Sequence, residues 1–336
     1  MAAVAGALRE QRLLQAAQLI ARATASGDVR AAVLDVRQGR FSFSRAFGAA
    51  RSQDTIFLLA SISKPMTAAG VMLLADRREL ALTDPVHKFI PEFSGADRDL
   101  ITVRHLLTHT SGLPDMLPEN EALRRRHAPL AEFVAVTCKT PLLFRPGTKV
   151  SYQSMGILLA SEIVQRITGV SFREFLRREI FLPLGMPGTS LGLGGRRIED
   201  TAQCQVESKE DWGWNTPYWR DLGAPWGGVH STTADVLRFL DAFLRPDGRV
   251  LKRETSRAMI MNYTAGLNEA WGLGWMLDPG KFSRGCSPRT FGHYGATGTV
   301  AWADPDTGVR CVLLTTKPAE QSRAGLLGPV SDLVAG

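Results

Sequence analysis

Three short patterns in the chain place groups that could do chemistry together. The first is Ser61-Ile62-Ser63-Lys64. At the start of a helix, residues i and i+3 share a face, so the Lys64 amine can reach the Ser61 hydroxyl. A helix N-terminus also favours negative charge developing there. A serine is a weak nucleophile and needs such a base beside it. This is the only Ser-x-x-Lys in the sequence. The second pattern is Tyr152-Gln153-Ser154, after the turn Pro146-Gly147-Thr148. A phenol near an ammonium can pass a proton, because the positive charge stabilises the phenolate. Taken alone, Tyr152 reads more readily as a loop anchor. The third is His293-Tyr294-Gly295, just before an expected strand. Gly295 permits close backbone approach there, as an oxyanion-binding edge requires. Taken alone, His293 reads as a structural histidine.

Two other patterns imitate chemistry. Gly188-Thr189-Ser190-Leu191-Gly192 spells G-x-S-x-G, a motif that needs a strand before the serine and a helix after it. Pro187 precedes it and Gly194-Gly195 follow, so Ser190 is set aside as nucleophile. His105 and His109, four apart, could face one metal, but no third ligand stands at a recognisable spacing. The four cysteines, Cys138, Cys204, Cys286 and Cys311, form no CxxC pair. No metal and no cofactor is expected.

The chain has 336 residues, 44% hydrophobic and 22% charged, the balance of an ordinary folded protein. Its net charge of +7 is scattered, and the one dense run is Arg124-Arg125-Arg126. A nucleic-acid reader would show a basic face interleaved with aromatics, so that class is excluded and the run reads as a solvated helix surface. The excess charge can still draw anionic molecules toward the protein. No apolar run approaches a membrane span. The segment Met1–Leu8 lacks the basic start of a secretory signal, so a cytoplasmic chain is expected.

The elements that must position these groups follow from periodicity. Residues 7–23 read as an amphipathic helix through Leu13, Ala16, Ala17 and Ile20. Residues 31–36 and 41–47 form a hairpin. A helix follows over 66–76, with Pro65 in its first turn. From 77 to 225 the pattern is helical with long loops: Thr102 opens one helix and residues 130–138 form another. A further helix over 157–167 ends at Gly169, and Ser171 and Glu174 make a capping box for the next. After a helix through Val236 and Phe243, strands are expected at 271–277, 297–303 and 309–316. The last two are joined by Asp304-Pro305-Asp306-Thr307-Gly308. Strands at both ends with helices between them predict an antiparallel α/β (α+β) sheet domain from residues 1–76 and 225–336. A mostly helical domain at 77–224 is inserted into it.

Together the patterns resemble the serine β-lactamase and penicillin-binding superfamily, in the branch of class C β-lactamases and family VIII carboxylesterases. The segments that carry the likeness are Phe57–Lys64, Ile101–Pro114 (ITVRHLLTHTSGLP), Pro146–Tyr152, Pro183–Met186, Gly227–Phe239, Trp271–Trp275 and His293–Thr299, in the family's order. The resemblance implies an α/β domain and a helical domain with the site between them. It implies Ser61 as nucleophile and Lys64 and Tyr152 as the proton-transfer pair. The amides of Ser61 and Ala296 would form the oxyanion hole. His293, Tyr294, Gly295 and Ser154 would line the substrate edge.

Two departures bear on substrate. Ser154 stands where class C enzymes usually have Asn, and a hydroxyl offers an amide substrate less than a carboxamide does. His293 stands where they usually have a Lys that holds the substrate carboxylate, and Tyr294 is expected to narrow that edge. The expected activity is therefore hydrolysis of small or medium carboxylic esters, with weak or no action on β-lactams. A β-lactamase or D,D-peptidase, an acyltransferase of the same family, and a non-catalytic scaffold are the alternatives. The expected partner is a small-molecule ester, with no nucleic acid and no membrane.

Overall fold

The computed structural model describes residues 2–207 and 210–336, and the backbone alone for 2–9. The Met1–Leu8 segment thus lies outside the described side chains. A helix α1 (Ala2–Ala25) leads into the hairpin β1 (Ala31–Gln38) and β2 (Phe41–Gly48), which pair from Ala31↔Gly48 to Gln38↔Phe41. After a two-residue strand β3 (Phe57–Leu58), a single tight turn at Ala60–Ile62 opens α2 (Ser63–Asp76). Short helices follow at α3 (Val103–Leu107), α4 (Asn120–Arg125) and α5 (Leu130–Thr137). Then come α6 (Met155–Thr168), α7 (Phe172–Leu176), β4 (Ser190–Leu191) and α8 (Pro217–Leu222). The chain returns through β5 (Val229–Ser231), α9 (Thr233–Leu244) and α10 (Arg253–Met259) to β6 (Phe291–Gly295), β7 (Thr299–Asp304) and β8 (Val309–Thr315). It ends on α11 (Ala319–Ser322) and α12 (Gly328–Ala335).

The main sheet runs β2-β1-β8-β7-β6, antiparallel throughout, so strands from both ends of the chain meet at β1 and β8. Successive side chains on a strand face opposite ways. On one face Ala32, Leu34, Val36, Val300, Trp302, Cys311 and Leu313 pack under α1 and α12. On the other Val33, Ala301, Ala303, Val312 and Leu314 join the larger core that runs on through α9 and the helical layer. That layer is organised on α2, buried from Ser63 to Leu74 and packed on α6. This is the mixed α/β architecture expected from the order of elements. Among the described residues no helix is long and apolar enough to cross a membrane, and the four cysteines are free.

The helix boundaries follow their local chemistry. Gly169 ends α6 in the left-handed conformation at φ +67, and Ser171 accepts from the Glu174 N–H at the start of α7. The strand expected over 271–277 is not one. The chain doubles back there, with Gly272 N–H donating to the Trp275 carbonyl and Gly274 at φ +80. A Cβ on Gly274 would lie 2.8 Å from that of Ala68, so this turn seats against the first turns of α2. Its apolar run therefore reflects burial of a turn and not strand pairing.

Candidate active site

Ser61 sits at the junction of β3 and α2, in a turn where Ala60 takes φ +49. A non-glycine residue there is strained, and such strain persists only where surrounding bonds hold it. Ser63 supplies two of them: its hydroxyl donates to the Ala60 carbonyl at 2.7 Å and accepts from the Val229 N–H at 3.0 Å. The turn after β6 supplies two more, with Thr297 Oγ1 donating to the Leu58 carbonyl at 2.6 Å and Thr299 Oγ1 to Leu59 at 2.9 Å. Gly295 is required by this approach, because a Cβ would fall 2.1 Å from the Leu59 carbonyl oxygen. The close contact expected at Gly295 is thus made to the segment carrying Ser61. Ala296, next in the chain, is exposed, and its carbonyl accepts from the Ala319 N–H.

One turn into α2, Lys64 Nζ lies 3.1 Å from Ser61 Oγ and 3.2 Å from the Trp226 carbonyl, which accepts from it. The side chain is buried, at 1% exposure, and burial brings its pKa down from 10.5 to about 7, opposed in part by the charge of Asp115. Lys64 Nζ also stands over the Tyr152 ring, 4.5 Å from its centre. Ser61 hydrogen-bonds the Tyr152 oxygen, so the three groups form one connected set. The ammonium does not produce a low-pKa phenol, contrary to expectation. Burial pushes Tyr152 well above its usual value, and the Ser61 hydrogen bond offsets only part of that.

The third pattern divides across the sheet. His293 faces the site, its ring 5.9 Å from Tyr152 and 5.8 Å from Trp271. Its Nδ1 lies 2.6 Å from the Tyr294 carbonyl, which makes Nδ1–H the donor and leaves Nε2 unprotonated. Burial beside Lys64 lowers its pKa to about 3, so it is neutral at ordinary pH. Tyr294 points the opposite way. It stacks on Phe282 at 5.7 Å within the core under α1 and α12. The expectation that it narrows the substrate edge is corrected by strand alternation: only every second residue of β6 can face Ser61. Ser154 is also occupied. Its hydroxyl donates to Asp115 Oδ1 at 2.6 Å.

The two imitations have structural duties. Ser190 Oγ donates to the Gly192 carbonyl at 2.8 Å and accepts from Arg196 at 2.7 Å. His105 Nδ1 accepts from the Thr102 N–H and His109 Nδ1 from the Gln153 N–H, both at 3.2 Å. Among the described residues no three or more His, Cys, Asp or Glu side chains gather as a metal site.

Two residues of the site had no role in the sequence reading. His109 was weighed there only as a metal ligand, yet its ring lies 4.8 Å from Tyr152 and 4.3 Å from Trp271. Asp115 belongs to the loop after Leu113-Pro114, and only the fold brings that loop beside Ser154. Its neighbours in sequence carry no signal of this.

The fold and sequence have relatives of several activities. A protein described as penicillin-binding protein 4 from Amycolatopsis lactamdurans is 31% identical over 297 residues, covering 81% of this chain and 74% of its own. The esterase EstB of Burkholderia gladioli is 33% identical over 195 residues, 54% of this chain and 47% of its own length. The chain thus spans about half of EstB and three quarters of the penicillin-binding relative. A solved structure described as EstCE1, a hydrolase with promiscuous acyltransferase activity, superposes with a TM-score of 0.82 over 99% of this chain and 100% of its own, at 19% identity. A family VIII carboxylesterase gives 0.75 over 91% of this chain and 92% of its own, at 20% identity. The Beta-lactamase family profile matches residues 16–334. The chain belongs to that family, as a hydrolase of the serine β-lactamase and penicillin-binding type.

Proposed function

We propose that the protein cleaves carboxylic esters through an acyl-enzyme on Ser61. The observation that carries this reading is the 3.1 Å contact between Ser61 Oγ and a buried amine whose pKa is near 7. An amine in that range is deprotonated in a large share of molecules at neutral pH, which suits a general base. Lys64 takes the Ser61 proton as Oγ bonds to the ester carbonyl carbon. Tyr152, held protonated by burial, then gives its proton to the departing alkoxide and is reprotonated from Lys64. Water cleaves the acyl–Ser61 bond by the same groups in reverse. The amides of Ser61 and Ala296 are assigned to the carbonyl oxygen.

Esters are favoured over β-lactams because the site is poor in groups for a substrate carboxylate. His293 is neutral, and the Ser154 hydroxyl already serves Asp115. The esterase EstB among the relatives supports the same reading. The test is incubation with a p-nitrophenyl short-chain ester, with intact-protein mass spectrometry. A burst of p-nitrophenol and one acyl adduct, absent in Ser61→Ala, are expected. Turnover of a cephalosporin with a higher specificity constant than any ester would overturn the ester assignment.

A further inference from the structure

Asp115 is an exposed carboxylate on a protein of net charge +7, and among the described residues no cation makes an ion pair with it. One of its oxygens accepts from the Ser154 hydroxyl, and its main-chain carbonyl accepts from the Ser154 N–H at 3.3 Å. Two residues away in the chain, Tyr152 bonds Ser61, so this carboxylate is tied to the rim of the reaction centre. Its charge reaches inward. It acts on both Lys64 and Tyr152, and among the described residues it is the one acid that does so. Across the centre, the one cation among the described residues whose side chain lies against Tyr152 is Lys64, which is partly deprotonated at neutral pH. His293 is neutral, and Lys281, whose charge reaches His293, is paired with Glu269 at 2.9 Å.

We propose that Asp115, anchored by Ser154, forms a cation subsite at the mouth of the Ser61 site, so that the preferred substrates are esters carrying an ammonium group near the reacting carbonyl. The inference rests on the Ser61 ester-cleavage reading and adds the substrate's charge to it. An exposed carboxylate with one oxygen outside the Ser154 bond binds an ammonium by charge with little desolvation, and repels a substrate carboxylate by the same field. The general positive charge of the protein pulls the other way at long range. Local selection and long-range steering therefore have opposite signs here, and added salt should weaken both.

The test compares isosteric pairs. On the alcohol side, choline butyrate is set against 3,3-dimethylbutyl butyrate. On the acyl side, p-nitrophenyl 4-(trimethylammonio)butanoate is set against p-nitrophenyl 5,5-dimethylhexanoate, with the p-nitrophenyl monoester of glutarate as the anionic member. In at least one pair the cationic ester should have the higher kcat/KM, by about two- to fivefold, as expected of one exposed charge contact. The glutarate ester should be the poorest of its series. In Asp115→Asn the side-chain oxygen can still accept from Ser154, and the cation-to-neutral ratio should fall towards one. Equal ratios in wild type and Asp115→Asn, or no cation preference in either pair, would overturn the subsite. That outcome is distinct from failure of the Ser61 ester reading, which would appear as no turnover of any of these esters, as a cephalosporin turned over with a higher specificity constant than all of them, or as ester turnover retained in Ser61→Ala.

Discussion

His109 holds Tyr152 from three sides. Its ring lies 4.8 Å from the phenol ring, its carbonyl accepts from the Ser151 N–H at 2.9 Å, and its Nδ1 accepts from the Gln153 N–H at 3.2 Å. It does so from a left-handed backbone, φ +59, and with no exposed surface. Burial and the nearby Lys64 charge keep the imidazole neutral, with its pKa well below the usual value. The arrangement fixes the backbone on both sides of the residue assigned to carry the proton.

Replacing His109 should therefore impair turnover without touching substrate. In His109→Ala, kcat should fall on the order of tenfold or more while KM changes little, since a misplaced proton carrier weakens the transition state selectively. His109→Asn keeps a short acceptor and tolerates the left-handed backbone, so it should recover part of the loss. Wild-type kcat in His109→Ala would show that Tyr152 is positioned by other contacts.

The two serines make a sharper contrast. Ser61→Ala should abolish acylation and leave the melting temperature close to wild type, because the residue is only partly buried and its hydroxyl bonds Lys64 and Tyr152 rather than filling the core. Ser190→Ala should do the reverse. It removes one bond to the Gly192 carbonyl and one from Arg196, a loss of about 1 kcal/mol for each net hydrogen bond, with turnover retained. Specific activity and thermal melts of the two variants decide the matter.

The parts of this site that were legible in the sequence are those fixed by local chain geometry. Ser61 and Lys64 meet because they are three apart at a helix start, and the hairpin β1–β2 and the turn before β8 follow from alternation and turn residues. Asp115 and Ser154 are 39 positions apart, and no local period relates them. Tyr294 was misplaced because β6, which is five residues long, was not recognised as a strand, and without it the alternation of His293 and Tyr294 was invisible. The strands β3, β4 and β5 are two or three residues long, too short to show a period. The terminal helix α12 was missed as well, though its Val330 and Val334 stand one helical turn apart.

Lys64 links activity and stability to pH in the same sense but over different ranges. With its pKa near 7, the logarithm of kcat/KM should rise with unit slope up to about pH 7 and then level, as the amine loses its proton. The unfolded chain holds that proton up to 10.5, so between about 7 and 10.5 the unfolded state binds one proton more. Stability then rises with pH across this window, and below it the full penalty of a buried ammonium remains. Relative to Lys64→Met, which cannot titrate, wild type should gain about 1.4 kcal/mol per pH unit within the window. Chemical denaturation of both proteins at pH 7, 8 and 9 measures the difference. A constant gap would mean that Lys64 has an ordinary pKa in the fold.

His293 offers the complementary test of substrate charge. It faces Tyr152 and Trp271 and is neutral, so it gives an anionic substrate no charge-assisted bond. His293→Lys would place an ammonium on the same face of β6, and Tyr294, on the other face, would not obstruct it. Two effects should appear together. The ratio of specificity constants for a cephalosporin over a neutral ester should rise, because a carboxylate gains a cationic partner. The midpoint of the pH–rate profile for the neutral ester should move below 7, because a second positive charge disfavours the protonated form of Lys64. The two readouts separate the causes. A shifted midpoint with an unchanged ratio would place the new charge near Lys64 but out of reach of the substrate. A raised ratio with an unshifted midpoint would place it at the substrate edge and away from the base. If neither changes, His293 does not set the charge of the site.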